Sequence, residues 1–148
     1  VTVNPELKGR RYELPEPYLV GREHVREFAR AVFAANPIHT DLEAAREAGY
    51  ADLVAPATFT AVLQDRGMQL LLADPLVDFE LKHIVHGDEK FEFSRPVLAG
   101  DQLTAELEVT RVVARGRVNM IQAQTVIRDV TGEVVVTSHA TLVIGGDE

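Results

Sequence analysis

Val54-Ala55-Pro56-Ala57-Thr58-Phe59-Thr60-Ala61-Val62-Leu63 is the stretch that decides the fold. Wound as a helix, it turns small and apolar groups to nearly every side until Gln64. A helix that lacks a polar face over two turns is enclosed by other elements and does not lie on a surface. Pro56 suits the first helical position, where a missing N–H leaves no bond unmade. The pattern predicts a central helix over residues 56–73. Polarity returns at Gln64, Asp65 and Arg66 as the helix emerges. Gly67 weakens it there by about 1 kcal/mol relative to Ala.

The material that encloses this helix lies downstream. From His83 onward the chain reads as strands. Leu103, Ala105, Leu107 and Val109 alternate with Thr104, Glu106, Glu108 and Thr110, the period of a strand buried on one face. The Gly116 region turns this strand into one over 118–128, and Asp129-Val130-Thr131-Gly132 turns that into one over 134–144. Such hairpin spacing predicts an antiparallel sheet. Upstream, after a lead containing Pro5, Pro15 and Pro17, Tyr18-Leu19-Val20 is a short edge strand. Val25, Phe28, Ala29, Val32 and Phe33 share one face of a helix over 22–33. Asn36-Pro37 breaks that helix. Thr40 and Glu43 form a capping box that opens another over 41–48, and Gly49 ends it. Helices first and a long meander after give an α+β class. The sheet must curl around the central helix, because nothing else in the chain is apolar enough to enclose it.

With 148 residues, 46% of them hydrophobic, the chain is one domain with enough apolar material for a core. Fifteen Lys and Arg against 23 Asp and Glu leave a net charge of −8, which argues against nucleic acid or an anionic membrane as partner. No apolar run approaches the roughly 18 to 20 residues of a membrane helix. The first residues, Val1 to Glu6, lack the basic and apolar regions of a secretory signal. The absence of cysteine excludes disulfides, thiolate metal sites and cysteine nucleophiles. A cytoplasmic protein with no metal and no cofactor is expected.

Between the first two predicted helices the chain reads Phe33-Ala34-Ala35-Asn36-Pro37-Ile38-His39, a junction that presents an imidazole. Two further stretches accompany it. Leu53-Val54-Ala55-Pro56-Ala57-Thr58-Phe59 leads into the central helix, and Phe91-Glu92-Phe93-Ser94-Arg95-Pro96-Val97-Leu98-Ala99-Gly100-Asp101 precedes the meander. In this order they resemble the MaoC-type (R)-specific hydratases and dehydratases. The similarity covers nearly the whole chain. It is greatest to the subgroup related to the dehydratase domain of fungal fatty acid synthase and to actinobacterial hydroxyacyl-carrier-protein dehydratase subunits. The resemblance implies a hot-dog fold, a long helix wrapped by a curled antiparallel sheet. The family motif runs Gly-Asp-x-Asn-Pro-[Leu/Ile/Val]-His, followed by a small residue. Asn36, Pro37, Ile38, His39 and Ala45 match it, whereas Phe33 and Ala34 occupy the Gly and Asp positions.

Dehydrating a 3-hydroxyacyl thioester removes a weakly acidic α-proton and expels hydroxide, so a base, a proton donor and oxyanion stabilisation must converge. By resemblance, His39 is the retained proton-transfer group and Asn36 the group that orients it. The amides near Ala57 and Thr58, in the stretch Pro56 to Phe59, are the candidate oxyanion and substrate-binding donors, at a helix N-terminus. Pro56 removes one such donor. Ala34 cannot transfer a proton. Asp41 is the nearest carboxylate in sequence, but capping already accounts for it, and Glu27 reads as a solvated helix residue.

The remaining candidates have plain structural readings. His83 and His86 sit at i and i+3, which on a strand point to opposite faces, so a shared metal is not expected. His24 and His139 read as surface or sheet residues, and Arg95 to Asp101 as a strand end and turn. Arg115 and Arg117 flank a hairpin glycine, where they stand either as solvated charges or as contacts for the phosphates of coenzyme A or phosphopantetheine. The leading reading is a subunit of an (R)-3-hydroxyacyl thioester dehydratase or enoyl thioester hydratase. Its ligand is an acyl thioester of coenzyme A or of acyl carrier protein, with this chain as the acyl-binding half. A homodimer or a heterodimer with a second MaoC-like chain is expected, because an open sheet edge invites pairing. The alternative is a protein that binds an acyl thioester or stabilises its partner without catalysis. A hot-dog thioesterase is the third; it needs a carboxylate on the central helix, where Asp65 is the only acid.

Overall fold

Three long strands dominate the architecture: β4 (Gln102–Arg115), β5 (Val118–Arg128) and β6 (Val134–Ile144). The computed structural model describes residues 2–145. The long strands form an antiparallel meander. β3 (Ile84–Phe93) pairs with β6, and β1 (Arg11–Glu13) with the opposite side of β4. A two-residue strand, β2 (Tyr18–Leu19), also joins β4, so the sheet of six runs β1-β4-β5-β6-β3 with β2 beside it. This curled antiparallel sheet with few helices is the hot-dog fold expected from the sequence.

The period-two pattern does what the alternation demands. Leu103, Ala105, Leu107 and Val109 on β4, Ile121, Ala123 and Ile127 on β5, and Val136, Ala140 and Leu142 on β6 are all buried. They face α3 (Ala61–Leu72), whose Leu63, Met68 and Leu71 complete the core. Gly67 is also buried in this face. A Cβ built on it would stand 3.1 Å from Leu107 Cβ, tighter than ordinary packing. The glycine that weakens the helix in isolation is therefore the residue that lets helix and sheet touch.

The central helix starts later than the sequence pattern implies. Ala55 N–H donates to Val97 O at 2.8 Å and Val54 bridges to Leu98, which keeps the chain extended up to Pro56. Three-residue turns then follow, with Phe59 N–H donating to Pro56 O and Ala61 N–H to Thr58 O. Pro56 thus opens a turn, and α-helical bonding begins at Ala61. The chain must first leave a strand pairing, and a local pattern does not report that. Gln64 is likewise buried, at 4% exposure, where the sequence marked the return of polarity.

Two earlier helices build the junction. α1 (Arg22–Ala31) buries Val25 and Ala29 and ends two residues before the expected limit. α2 (Leu42–Glu47) is capped by Asp41, whose Oδ1 accepts from the Glu43 and Ala44 amides at 3.0 and 3.4 Å. The cap is therefore Asp41, one residue later than the Thr40 capping box. An ionised carboxylate binds free N–H groups more strongly than a hydroxyl does.

A buried ionic knot ties the end of α3 to β1. The Asp74 side chain is 4% exposed. It accepts from Tyr12 Oη at 2.6 Å, Arg10 Nη1 at 2.9 Å and the Leu76 amide at 2.9 Å. The Tyr12 hydroxyl first, and then the Leu76 amide, hold the carboxyl below the usual carboxylate range. Asp74→Ala should cost about 2 kcal/mol, chiefly by leaving the Tyr12 hydroxyl without its partner, while the half-exposed Arg10 turns to water. Thermal denaturation should show this as a loss of roughly 6 °C in Tm. Because the folded pKa is depressed, the wild-type contribution is present above the unfolded pKa of about 4 and is lost as pH falls through the folded value. The gap between wild type and variant should thus close only in strong acid.

Candidate functional site

The site begins where α1 stops. Phe33 adopts φ 58°, the left-handed region that favours glycine, and its ring is 91% exposed. This is the position where the family motif has Gly. Phe33 carries the strain of this left-handed backbone without the freedom a glycine would have. Ala34, half-buried, follows, and its N–H donates to Ala29 O at 2.8 Å. Asn36 is exposed and caps a 3-10 turn over Pro37–His39, with its Oδ1 accepting from the Ile38 amide at 3.2 Å. That oxygen is engaged by the turn and not by His39.

His39 is held by a reciprocal clamp. Val54 N–H donates to Ile38 O at 3.0 Å, and His39 Nδ1 lies 2.5 Å from Val54 O. A carbonyl oxygen can only accept, so Nδ1 carries the proton and Nε2 is left as the acceptor. Arg26 Nε donates to Thr40 O at 3.0 Å and fixes the junction from the α1 side. His39 lines a cavity of about 540 Å³ with Val54, Ala55, Ala57, Phe93 and Arg95 among its walls.

The residues before α3 divide by exposure. Pro56 and Phe59 are buried, and Phe59 packs among the rings of Tyr18, His24 and Phe28 as part of the core. Ala57 and Thr58 are exposed, and among the described residues their amides donate to no backbone or side-chain acceptor. Ala57 lines the His39 cavity, whereas Thr58 lines a second cavity of about 620 Å³. The two cavities adjoin along β3. Phe91 belongs to the second and Phe93 to the first, and their rings stack with centroids 6.3 Å apart. Together they make an apolar trough along β3, walled by α3 at the second cavity and by Val54, Ala55 and Ala57 at the first. Because β3 is the last strand of the sheet, the trough lies at an unpaired edge.

Three polar residues of the second cavity, Gln64, His86 and Glu89, have no counterpart among the sequence-predicted site residues. Gly87 interrupts the pairing of β3 with β6, so that His86 stands opposite Leu142 and Glu89 opposite Ala140. Both partners are buried, so His86 and Glu89 face inward together, with Nε2 and Oε2 3.9 Å apart. Gln64 Nε2 donates to Glu89 Oε2 at 3.1 Å, and Ser138 Oγ to Gln64 Oε1 at 3.2 Å. Burial pushes the Glu89 carboxyl up, against the Gln64 hydrogen bond that lowers it. The glycine within an otherwise regular strand was the available signal, because it commonly marks a bulge.

The other candidates are occupied elsewhere. His83 belongs to a 3-10 turn, and its Nδ1 accepts from the Glu80 amide. Among the described residues no group of three His, Cys, Asp or Glu is arranged to hold a metal ion. Arg95 is engaged by Asp101 at 2.8 Å and Asp129 at 3.5 Å, and these carboxylates raise its pKa, Asp101 foremost. No described helix is long and apolar enough to cross a membrane.

A hot-dog protomer with an Asn-Pro-Ile-His junction beside an apolar trough is the architecture of the MaoC-like hydratase and dehydratase family. The chain belongs to the family of the FAS1-like dehydratase domain region, which it matches over residues 6–138. It is 54% identical over 148 residues to a UPF0336 protein of Leifsonia xyli subsp. xyli, covering 100% of this chain and 99% of that one. Among solved structures it is similar to a chain of the HadBC (3R-hydroxyacyl-ACP dehydratase) complex from Mycobacterium tuberculosis. There the TM-score is 0.85 at 34% identity, over 97% of this chain and 99% of the other. It also superposes on a MaoC-like dehydratase with a TM-score of 0.85 at 36% identity, over 93% of this chain but 42% of that longer one.

Proposed function

We propose that this chain is the acyl-binding subunit of an (R)-3-hydroxyacyl thioester dehydratase, or of the reverse enoyl thioester hydratase. Its ligands are thioesters of coenzyme A or acyl carrier protein. A second MaoC-like chain supplies the complete Asp and His. The observation that carries this reading is Ala34: the junction retains His39 at the cavity wall and lacks the acid beside it. The free Ala57 and Thr58 amides are the donors for a thioester oxygen, and the trough along β3 is the seat of the acyl chain. HadBC, a complex that acts as a 3R-hydroxyacyl-ACP dehydratase, supports a paired assembly. The reaction needs no cofactor, nucleic acid or membrane, and we assign it to the cytoplasm.

Pairing is the first test. The edge strand β3 runs ten residues with Val85 and Phe93 exposed, and such an edge is a template for another chain. At micromolar concentration the protein should sediment at about twice its 16.3 kDa, or as a pair with an intact-motif MaoC chain when the two are co-expressed. Titration calorimetry with dodecanoyl-coenzyme A should then show saturable binding. A monomer that binds no acyl thioester, in either preparation, would remove the reading. Asp65 is exposed and lines the second cavity, so hydrolysis of the same thioester, lost in Asp65→Asn, would favour the thioesterase instead.

A further inference from the structure

The trough has an apolar wall and a polar floor that no step of the proposed reaction uses. Ala61, Met68 and Phe91 line the second cavity together with Gln64, His86 and Glu89. Glu89 lies four residues from Phe93, so the polar group is displaced about 13 Å along the strand from the His39 end. Its hydrogen-bonding capacity is only partly used. An amide nitrogen has two hydrogens, and Gln64 donates one, to Glu89. Among the described residues Glu89 Oε1 accepts from nothing. Gln64 is 4% exposed and the Glu89 side chain 24%, so neither is freely solvated. A plain alkyl chain laid over them would displace water and offer no hydrogen bond in return, which is unfavourable. A hydroxyl group would accept from the spare Gln64 N–H and donate to Glu89 Oε1.

We infer that the trough selects acyl thioesters whose chain carries a second oxygen function, a hydroxyl group, remote from the thioester, and that Gln64 and Glu89 recognise it. The inference rests on the acyl-binding reading above. Binding pockets of this kind are mostly apolar, with a few polar groups that set orientation and specificity. A site built to bond a ligand hydroxyl rejects the analogue without it far more strongly than an apolar pocket rejects an added methylene. The bulge at Gly87 is what delivers Glu89 to the cavity floor in step with His86.

The test is calorimetric titration of the purified protein, alone and with its paired subunit. The probes are dodecanoyl-coenzyme A and a set of hydroxydodecanoyl-coenzyme A isomers with the hydroxyl moved along the distal half of the chain. At least one distal isomer should bind roughly tenfold to a hundredfold more tightly than the plain chain. Gln64→Leu and Glu89→Leu, each checked for an unchanged sedimentation profile, should bring that ratio close to one by improving the plain chain. Equal affinity for plain and hydroxylated probes in wild type would overturn the inference and leave the acyl-binding reading intact. Failure of every probe to bind would overturn both. If one variant does not fold, the other, on a different element, decides the same question.

Discussion

Ala34→Asp should endow the purified chain with enoyl thioester hydratase activity, at least about a hundredfold above wild type. Ala34 sits at the acid position of the motif, and its backbone bond to Ala29 O does not involve the side chain. It is half-buried, so a carboxylate placed there keeps enough contact with water to ionise. His39 is already fixed in one tautomer by Val54 O, which leaves Nε2 to act on a substrate. The new carboxylate completes the pair that the chemistry requires. The loss of absorbance of a conjugated enoyl-coenzyme A gives the rate. His39→Ala in the same background should abolish the gain. A folded Ala34→Asp protein that stays inactive would show that the oxyanion donors or the trough have diverged as well.

The second large effect concerns the wild type. Alone, it should hydrate enoyl-coenzyme A about a hundredfold to ten-thousandfold more slowly than its complex with a MaoC chain that carries both Asp and His. One missing proton-transfer group accounts for a deficit of that size. Asp41 does not make it good, because its Oδ1 already serves the Glu43 and Ala44 amides. Titrating the intact-motif chain into a fixed amount of this one should raise the rate until the pair is stoichiometric. Robust turnover by the isolated chain, lost in Asp41→Ala, would show that the cap doubles as the acid. Activity of the mixture that is indifferent to His39→Ala would assign all the chemistry to the partner and leave this chain the acyl-binding role.

Two periodicities made the fold legible in the sequence, and both have a physical origin. The alternation on β4 marks a strand with one dry face, and Leu103 to Val109 line the core as that requires. The enclosed stretch before Gln64 does run into the central helix, although four residues of turn come before its first residue, Ala61. Those turns follow from the pairing of Ala55 with Val97, more than forty residues away, which no local window contains. The junction was legible because its motif is contiguous. The floor of the second cavity was not, since Gln64, Glu89 and Ser138 come from three elements and meet only after folding. His86 and Glu89 share a face only because of the bulge at Gly87, a single residue out of step with the regular period of a strand.

The contact between Gly67 and Leu107 seats the central helix against the sheet with only the Leu107 side chain between them. That flank of the trough therefore cannot recede to admit a bulkier guest. The opposite flank ends at β3, which has a neighbour on one side only. On the acyl-binding reading proposed above, one jaw is fixed and the other is supplied by the partner chain. The protein would then act as a half-mould: its own backbone sets the calibre, and the capacity belongs to whichever chain closes it. Exchange of the closing chain, with no change in this sequence, is then the economical route by which one protomer serves ligands of different girth.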